Sequence, residues 1–360
     1  MNVMITGGAG FIGCNLADYH LRRGDDVVVF DNLSRKGTNS NLAWLRERHG
    51  ESFTFVHGDI RDFYALVAHL SDETDRVYHL AGQVAVTTSV RDPREDFQIN
   101  AYGTFNVLEA VREAAPQAIV FFASTNKVYG GMESLAVVED ATRYRYRDHP
   151  LGVPEDLPLD FHSPYGCSKG SGDQYVRDYA RIYGLKTVVM RQSCIYGTRQ
   201  LGVEDQGWVA HFCIAARFGR TITVYGNGKQ VRDVLWVEDL IDAYECAAQH
   251  IDIAAGQIYN VGGGPDNTIS IWAEFGPILE RLSGRPIATK FAEWRPGDQT
   301  VYVSDIRKAQ RELGWQPKVS LHEGLERLWR WVDANPEIFE KPVLEPVVTR
   351  GVNGRKTPPT

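Results

Sequence analysis

The chain has 360 residues, 43% hydrophobic and 24% charged, with a formal net charge of −7. These globular proportions suit two domains, or one domain with a subordinate lobe, and supply a core that needs no metal or disulfide staple. The acidic balance speaks against a nucleic-acid binder, and five cysteines without a close pair (Cys14, Cys167, Cys194, Cys213, Cys246) speak for reduced thiols rather than a disulfide framework or a zinc site.

The first residues run straight into Val3-Met4-Ile5 without the segments of a signal peptide. No apolar run approaches the ~20 residues of a membrane span. A soluble, cytoplasmic protein is expected, with no membrane and no nucleic-acid partner.

Buried-type strands are predicted at Val3–Ile5, Val27–Phe30, Phe53–Val56, Val77–Leu80, Ile119–Ala123 and Thr187–Met190. Helices fit between them at Phe11–Arg23, Phe63–Leu70, Glu95–Ala114 and Ser168–Tyr183. This alternation predicts an α/β fold with a doubly wound parallel sheet, a Rossmann domain over residues 1–195. Beyond it the segments shorten: strands at Thr221–Tyr225, Val231–Val237, Ile258–Val261 and Thr300–Val303, helices near Val209–Phe218, Glu238–His250, Ile271–Leu282 and Leu321–Asn335. They read as a smaller mixed α/β lobe over 196–340, partly interwoven with the first domain. Such a lobe would cover the carboxyl ends of the strands, where open α/β sheets bind ligands.

Two segments lack a period. Gly130–His162 carries the run Tyr144-Arg145-Tyr146-Arg147, and a loop this long inside a compact domain is usually functional. The tail from 341 to 360 reads as disordered.

Val3–Ile5 leads into Gly7-Gly8-Ala9-Gly10-Phe11-Ile12-Gly13. A strand, a glycine turn and a helix start bring backbone close to a pyrophosphate and aim free N–H groups at it. Asp31, with Asn32 beside it, ends the second strand eighteen residues past Gly13. An acid there accepts hydrogen bonds from an adenosine ribose and repels a 2′-phosphate, so the expected cofactor is NAD rather than NADP. Asp59 and Ile60 follow the third strand, and Leu80, Ala81 and Gly82 close the fourth, where the cofactor would pass.

Tyr165 and Lys169 stand four apart, on one face if a helix begins there. A tyrosine of pKa ~10 is a poor base at neutral pH unless a neighbouring cation stabilises its phenolate. The pair is common by chance. Here it accompanies Ser124-Thr125-Asn126-Lys127-Val128-Tyr129-Gly130, which puts hydroxyls at the carboxyl end of a buried strand.

Taken together, these motifs resemble those of the extended short-chain dehydrogenases/reductases, in the nucleotide-sugar epimerase and dehydratase group. The resemblance runs from Met1 to about Asn335 and includes Gly7–Gly13, Asp31, Asp59, Leu80–Gly82, Asn100, Ser124–Gly130, Tyr165 with Lys169, Tyr196-Gly197, Arg232-Asp233 and Arg295-Pro296-Gly297-Asp298. It implies that Tyr165 is the general base, Lys169 its partner, and Thr125 the hydroxyl that meets substrate, with Ser124 the alternative. Asn100 joins the cofactor set. Arg232 and Arg295 match arginines that grip a diphosphate, as arginine forks do. Arg199, Asn126, Cys194 and Asp298 are further candidates for the substrate.

Relatives mostly carry asparagine at the position of Cys194 and proline at that of Thr198. The departure, with Ser124–Lys127 and Glu204–Trp208, is similar to the CDP-tyvelose (CDP-paratose) 2-epimerases. The resemblance therefore implies an epimerase of a nucleotide-diphosphate sugar, CDP-linked by preference, with a UDP-sugar 4-epimerase as the alternative. Asn126-Lys127 replaces the Asp-Glu of the group's dehydratases, which disfavours elimination. Asp31 argues against a reductase consuming NADPH. A non-catalytic dinucleotide sensor would lack the Tyr/Lys pair. Trp208 either stacks on a base or lies in a core, and relatives' helices matching Glu95–Ala114 and Ser168–Tyr183 imply a homodimer.

Overall fold

The computed structural model describes residues 1–295 and 297–340. The tail expected to be disordered lies outside them, as does Pro296.

Seven parallel strands form the main sheet: β1 (Asn2–Thr6), β2 (Asp26–Asp31), β3 (Phe53–His57), β4 (Arg76–His79), β5 (Ile119–Thr125), β6 (Lys186–Gln192) and β7 (Ile258–Val261). Their order is β7-β6-β5-β4-β1-β2-β3. Strand alternation sorts the side chains between two cores. Val3, Ile5, Phe121, Val188 and Met190 pack on one face with the helix Phe11–Arg22, here α1, and with the helix Val237–Gln249. Met4, Val120, Phe122 and Val189 pack on the other with α2 (Gly103–Ala114) and α3 (Ser163–Tyr183). The order reverses between β1 and β4, and ligands bind in the crevice outside such a switch point.

The fold class agrees with the sequence, and three local features differ. Ile258–Val261, read as part of the smaller lobe, is the seventh strand of the main sheet, pairing Ile258 with Val189 and Val261 with Gln192. A short apolar run carries no record of which sheet it will join. The helix expected over Glu95–Ala114 is broken into Pro93–Phe97, a π-turn at Gln98–Tyr102, and α2. Helices at Thr38–His49 and Val86–Arg91 were not foreseen.

The lobe is built on Val231–Trp236, which pairs with Cys194–Tyr196, Thr268–Ser270 and Val301–Tyr302. Its core includes Phe212, Trp236, Phe275, Leu325 and Leu328. The segment 130–162 docks against it. A hairpin of Val137–Glu139 and Tyr144–Tyr146 buries Tyr146, whose hydroxyl donates to the Val301 carbonyl at 2.6 Å. Arg145 and Arg147 remain outside, paired with Asp140 and Asp148.

One charged pair crosses the interior. Asp173 of α3 takes Arg191 of β6 bidentately at 2.9 and 3.0 Å and also accepts from Ser124 Oγ at 2.6 Å. Both charged residues are at most 1% exposed. Removing one member of such a pair strands the other charge. Asp173→Ala is expected to lower the unfolding free energy by about 3–5 kcal/mol. Urea denaturation checks this, and a loss under about 1 kcal/mol would show that the pair does not hold these elements together.

Candidate active site

The carboxyl end of β1 makes the first wall. Gly7 has φ +71°, and a Cβ there would lie 2.7 Å from Ala81 N, so Leu80-Ala81-Gly82 pass directly beside the turn. A Cβ on Gly13 would lie 2.2 Å from the Gly7 carbonyl, so α1 can approach only because Gly13 has none. Gly10 precedes α1 and offers no side-chain cap, which leaves the N–H groups of Phe11 and Ile12 for an anion. This is the cradle that a dinucleotide pyrophosphate requires.

Asp31 ends β2 beside that cradle. Its carboxylate accepts from Ala9 N at 3.0 Å and Leu33 N at 2.8 Å. Burial raises its pKa, and those two N–H groups oppose the rise. Asn32 donates to Asp59 at 3.0 Å, and Arg61 grips the same carboxylate. The Ile60 carbonyl accepts from Asn106 at 3.1 Å. Asn100 sits in the π-turn, with its amide on both backbone groups of Gln83 and on Asp96 and Ser168. It thereby ties the loop after β4 to α3. Gly7–Gly13, Asp31, Asn32, Asp59, Ile60 and Leu80–Gly82 stand at or just past the carboxyl ends of β1 to β4, and this donor set suits NAD.

Tyr165 and Lys169 lie buried on the first two turns of α3, facing the end of β5. The Thr125 hydroxyl faces the Tyr165 phenol closely enough to favour its ionised form, and it donates to Asn126 Oδ1 at 3.3 Å. Thr125 Oγ1 also accepts from Lys127 N at 3.2 Å. Burial pushes the Tyr165 phenol up to about 12; Thr125 and Arg35 work to lower it, while Asp96 raises it. Burial pulls Lys169 down to about 8, against the carboxylates of Asp173 and Asp96. Its ammonium lies 4.2 Å from the centre of the Phe122 ring.

Ser124 is buried and donates to Asp173 at 2.6 Å, so its hydroxyl is engaged by the interior pair, whereas Thr125 stands beside Tyr165. Three supports of α3 escaped the sequence reading. Ser89 accepts from Tyr165 N at 3.1 Å, Ser168 donates to Asp96 at 2.5 Å, and Asp173 anchors the helix. Of these, only Ser168 and Asp173 had a signal, their spacing from Tyr165 and Lys169.

The lobe supplies the other wall. Arg232 is buried and pairs with Asp298 at 2.7 Å. Arg295 lies over the Tyr225 ring at 3.8 Å and donates to the Glu204 carbonyl. Asn126 donates to Gln299 at 3.1 Å. Cys194 accepts from the Trp208 indole at 3.4 Å, and burial raises its thiol pKa. Trp208 itself packs edge-on against Phe212 and Phe275, in the lobe core.

Arg199 is held by aromatic rings. Its φ is +67°, and its guanidinium lies 4.3 Å from the centre of the Trp44 ring and 5.7 Å from that of Trp331. It bridges the helix Thr38–His49 and the helix Leu321–Ala334 through these aromatic faces.

Comparison with known proteins agrees with this geometry. The family described as GDP-mannose 4,6 dehydratase matches residues 4–328. The chain is 46% identical to CDP-paratose 2-epimerase of Salmonella typhi over 93% of its own length and 100% of that protein's. Among solved structures, UDP-glucose 4-epimerase of Thermotoga maritima with UDP-glucose superposes with TM-score 0.79 at 30% identity, covering 93% of this chain and 100% of that one. The dTDP-glucose 4,6-dehydratase DesIV of Streptomyces venezuelae, with NAD bound, gives TM-score 0.79 at 29% identity, covering 94% of this chain and 98% of that one. The chain belongs to the GDP-mannose 4,6-dehydratase family of extended short-chain dehydrogenases/reductases.

Proposed function

We propose that the protein is a nucleotide-sugar epimerase with resident NAD, acting at C2 of a CDP-linked sugar of the CDP-paratose type. The observation that carries the epimerase reading is the constellation at the end of β5. The Thr125 hydroxyl faces the Tyr165 phenol beside the dinucleotide cradle, and Asn126 and Lys127 occupy the places where elimination needs an acid and a base. The 46% identity to CDP-paratose 2-epimerase over nearly the whole chain supports the nucleotide and the carbon. A UDP-sugar 4-epimerase is the second reading, favoured by the likeness to the Thermotoga structure.

Gly7, Gly10 and Gly13 with Phe11 and Ile12 would hold the pyrophosphate, Asp31 and Asn32 the adenosine ribose, and Asp59 and Ile60 the adenine edge. Bound NAD supplies a hydride acceptor that can return the hydride to the opposite face of the same carbon. Tyr165 takes the proton from the sugar hydroxyl as that carbon is oxidised, and gives it back on reduction. Thr125 holds the hydroxyl against the phenol, and the Lys169 ammonium favours the phenolate. A phenol pushed up to about 12 in the protein alone needs that added positive charge before it can act near neutrality.

The exposed faces of α2 and α3 carry Phe105, Tyr175, Ile182 and Tyr183, with Tyr102 at the π-turn. Contiguous apolar surface of this kind supports a homodimer through these helices. Five unpaired cysteines support a cytoplasmic setting.

Purified protein is expected to convert CDP-paratose to its C2 epimer with no cofactor added, read by NMR. A stoichiometric requirement for NADH would contradict the proposal. Tyr165→Phe is expected to lower kcat by about 10²–10⁴-fold while NAD stays bound, and retained turnover would move the base elsewhere. Phe105→Glu should yield a monomer in sedimentation, whereas an unchanged mass would place the interface on another face.

A further inference from the structure

One more cation stands between the reaction centre and the arginines of the lobe. Lys127 lies two residues past Thr125, on the short turn Asn126–Tyr129 that Thr125 caps. Its backbone N–H donates to Thr125 Oγ1, so it is fixed to the hydroxyl that meets the sugar. Its half-buried side chain crosses the cleft, and Nζ donates to the Gly297 carbonyl at 3.3 Å. That carbonyl belongs to the same loop as Asp298, the partner of Arg232.

The ionisable groups facing this ammonium come from three directions. Arg232 and Cys194 lie on two paired strands of the lobe, and Asp298 on the loop. The His162 ring lies against Gly297, just before α3. Asp298 is already taken by Arg232 at 2.7 Å, so the contact left to Lys127 is a carbonyl. Two cations therefore share one side of the cleft with one carboxylate between them. Burial, then the Arg232 charge, pulls Lys127 down to about 8, with Asp298 and Cys194 opposing. Such an arrangement is costly unless an anion enters beside it.

The position says which anion. Thr125 and Tyr165 mark where the sugar reacts, and Arg232 marks where phosphate oxygens are gripped. Lys127 shares a turn with the first and a charge field with the second, so it stands at the join of sugar and phosphate. In a nucleotide sugar, C2 is bonded to the anomeric carbon that carries the phosphate, and C4 lies across the ring. From the placement of Lys127 between Thr125 and Arg232, we infer that its ammonium binds the sugar-linked phosphate and so brings the carbon next to the anomeric centre, rather than C4, to Tyr165. This deepens the proposed reaction and rests on the nucleotide-sugar reading.

Two measurements test it. In the first, CDP is titrated calorimetrically into the NAD-loaded protein as wild type, Lys127→Met and Lys127→Arg. At pH about 7, Lys127→Met should bind CDP about 10- to 100-fold more weakly, the range for losing a charged hydrogen bond. A lysine pulled down to about 8 is charged below that pH and loses its charge above it. Wild-type affinity should therefore be strongest below about pH 8 and fall as the pH rises beyond it. Lys127→Arg stays charged and should lack that fall. Lys169, also pulled down to about 8, is present in all three proteins, so any contribution it makes persists in Lys127→Arg. In the second measurement, Lys127→Met should raise KM for CDP-paratose at least tenfold, and Lys127→Arg should recover most of it.

Equal CDP affinity in wild type and Lys127→Met, or a fall with pH that Lys127→Arg retains in full, overturns the assignment. If wild type does not turn over CDP-paratose, the proposed reaction fails, while the CDP titration still decides the role of Lys127.

Discussion

The proposed site rests on the buried ion pair of Asp173 and Arg191. Tyr165, Lys169 and Asp173 follow one another at intervals of four along α3, so all three face the sheet. Asp173 clamps Arg191 on β6 and the Ser124 hydroxyl on β5. Arg191 continues to Tyr129, whose hydroxyl donates to Asn260 on β7. Three neighbouring strands and the helix that carries the reactive phenol are thereby fixed in one register. Ser124 is held by Asp173, and Thr125, at the end of β5 where the chain enters the turn Asn126–Tyr129, stands beside Tyr165 two helical turns earlier on α3. The reactive pair inherits its geometry from the inert one.

Burial sets the electrostatics of what results. Enclosing Tyr165 stabilises its neutral form, and enclosing Lys169 does the same for its amine. Neither residue alone is tuned for acid–base work at neutral pH. NAD held by the glycine turn would supply the positive charge that favours the phenolate. The same burial raises the Cys194 thiol pKa and leaves Arg232 and Lys127 with the single carboxylate of Asp298 beside them. Tyr165 and Thr125 thus stand on the side proposed for proton transfer, and Arg232 and Lys127 on the side proposed for an anion.

Much of this was legible in the sequence because its signals are local. Gly7, Gly10 and Gly13 between a strand and a helix, Asp31 at the next strand end, and Tyr165 with Lys169 one helical turn apart each state their geometry within a few residues. What escaped depends on distant partners. Ser124 and Thr125 are adjacent hydroxyls, and only the carboxylate of Asp173, 49 residues on, tells them apart by claiming the first. Arg199 and Arg232 look alike as arginines. A left-handed turn and two tryptophans from other helices claim the first, and Asp298 the second. Ile258–Val261 reads the same in either sheet. Asp96 and Ser89 support α3 from segments whose packing on it no spacing announces.

The central claim is that one carbon of the sugar gives up a hydride and takes the same hydride back. The most direct test uses CDP-paratose carrying deuterium at C2, incubated with the protein in ordinary water and followed by NMR. The account predicts an epimerised product that keeps its deuterium at C2. Replacement of that deuterium by solvent hydrogen as the product forms would mean that the carbon is inverted by proton exchange, and would contradict it.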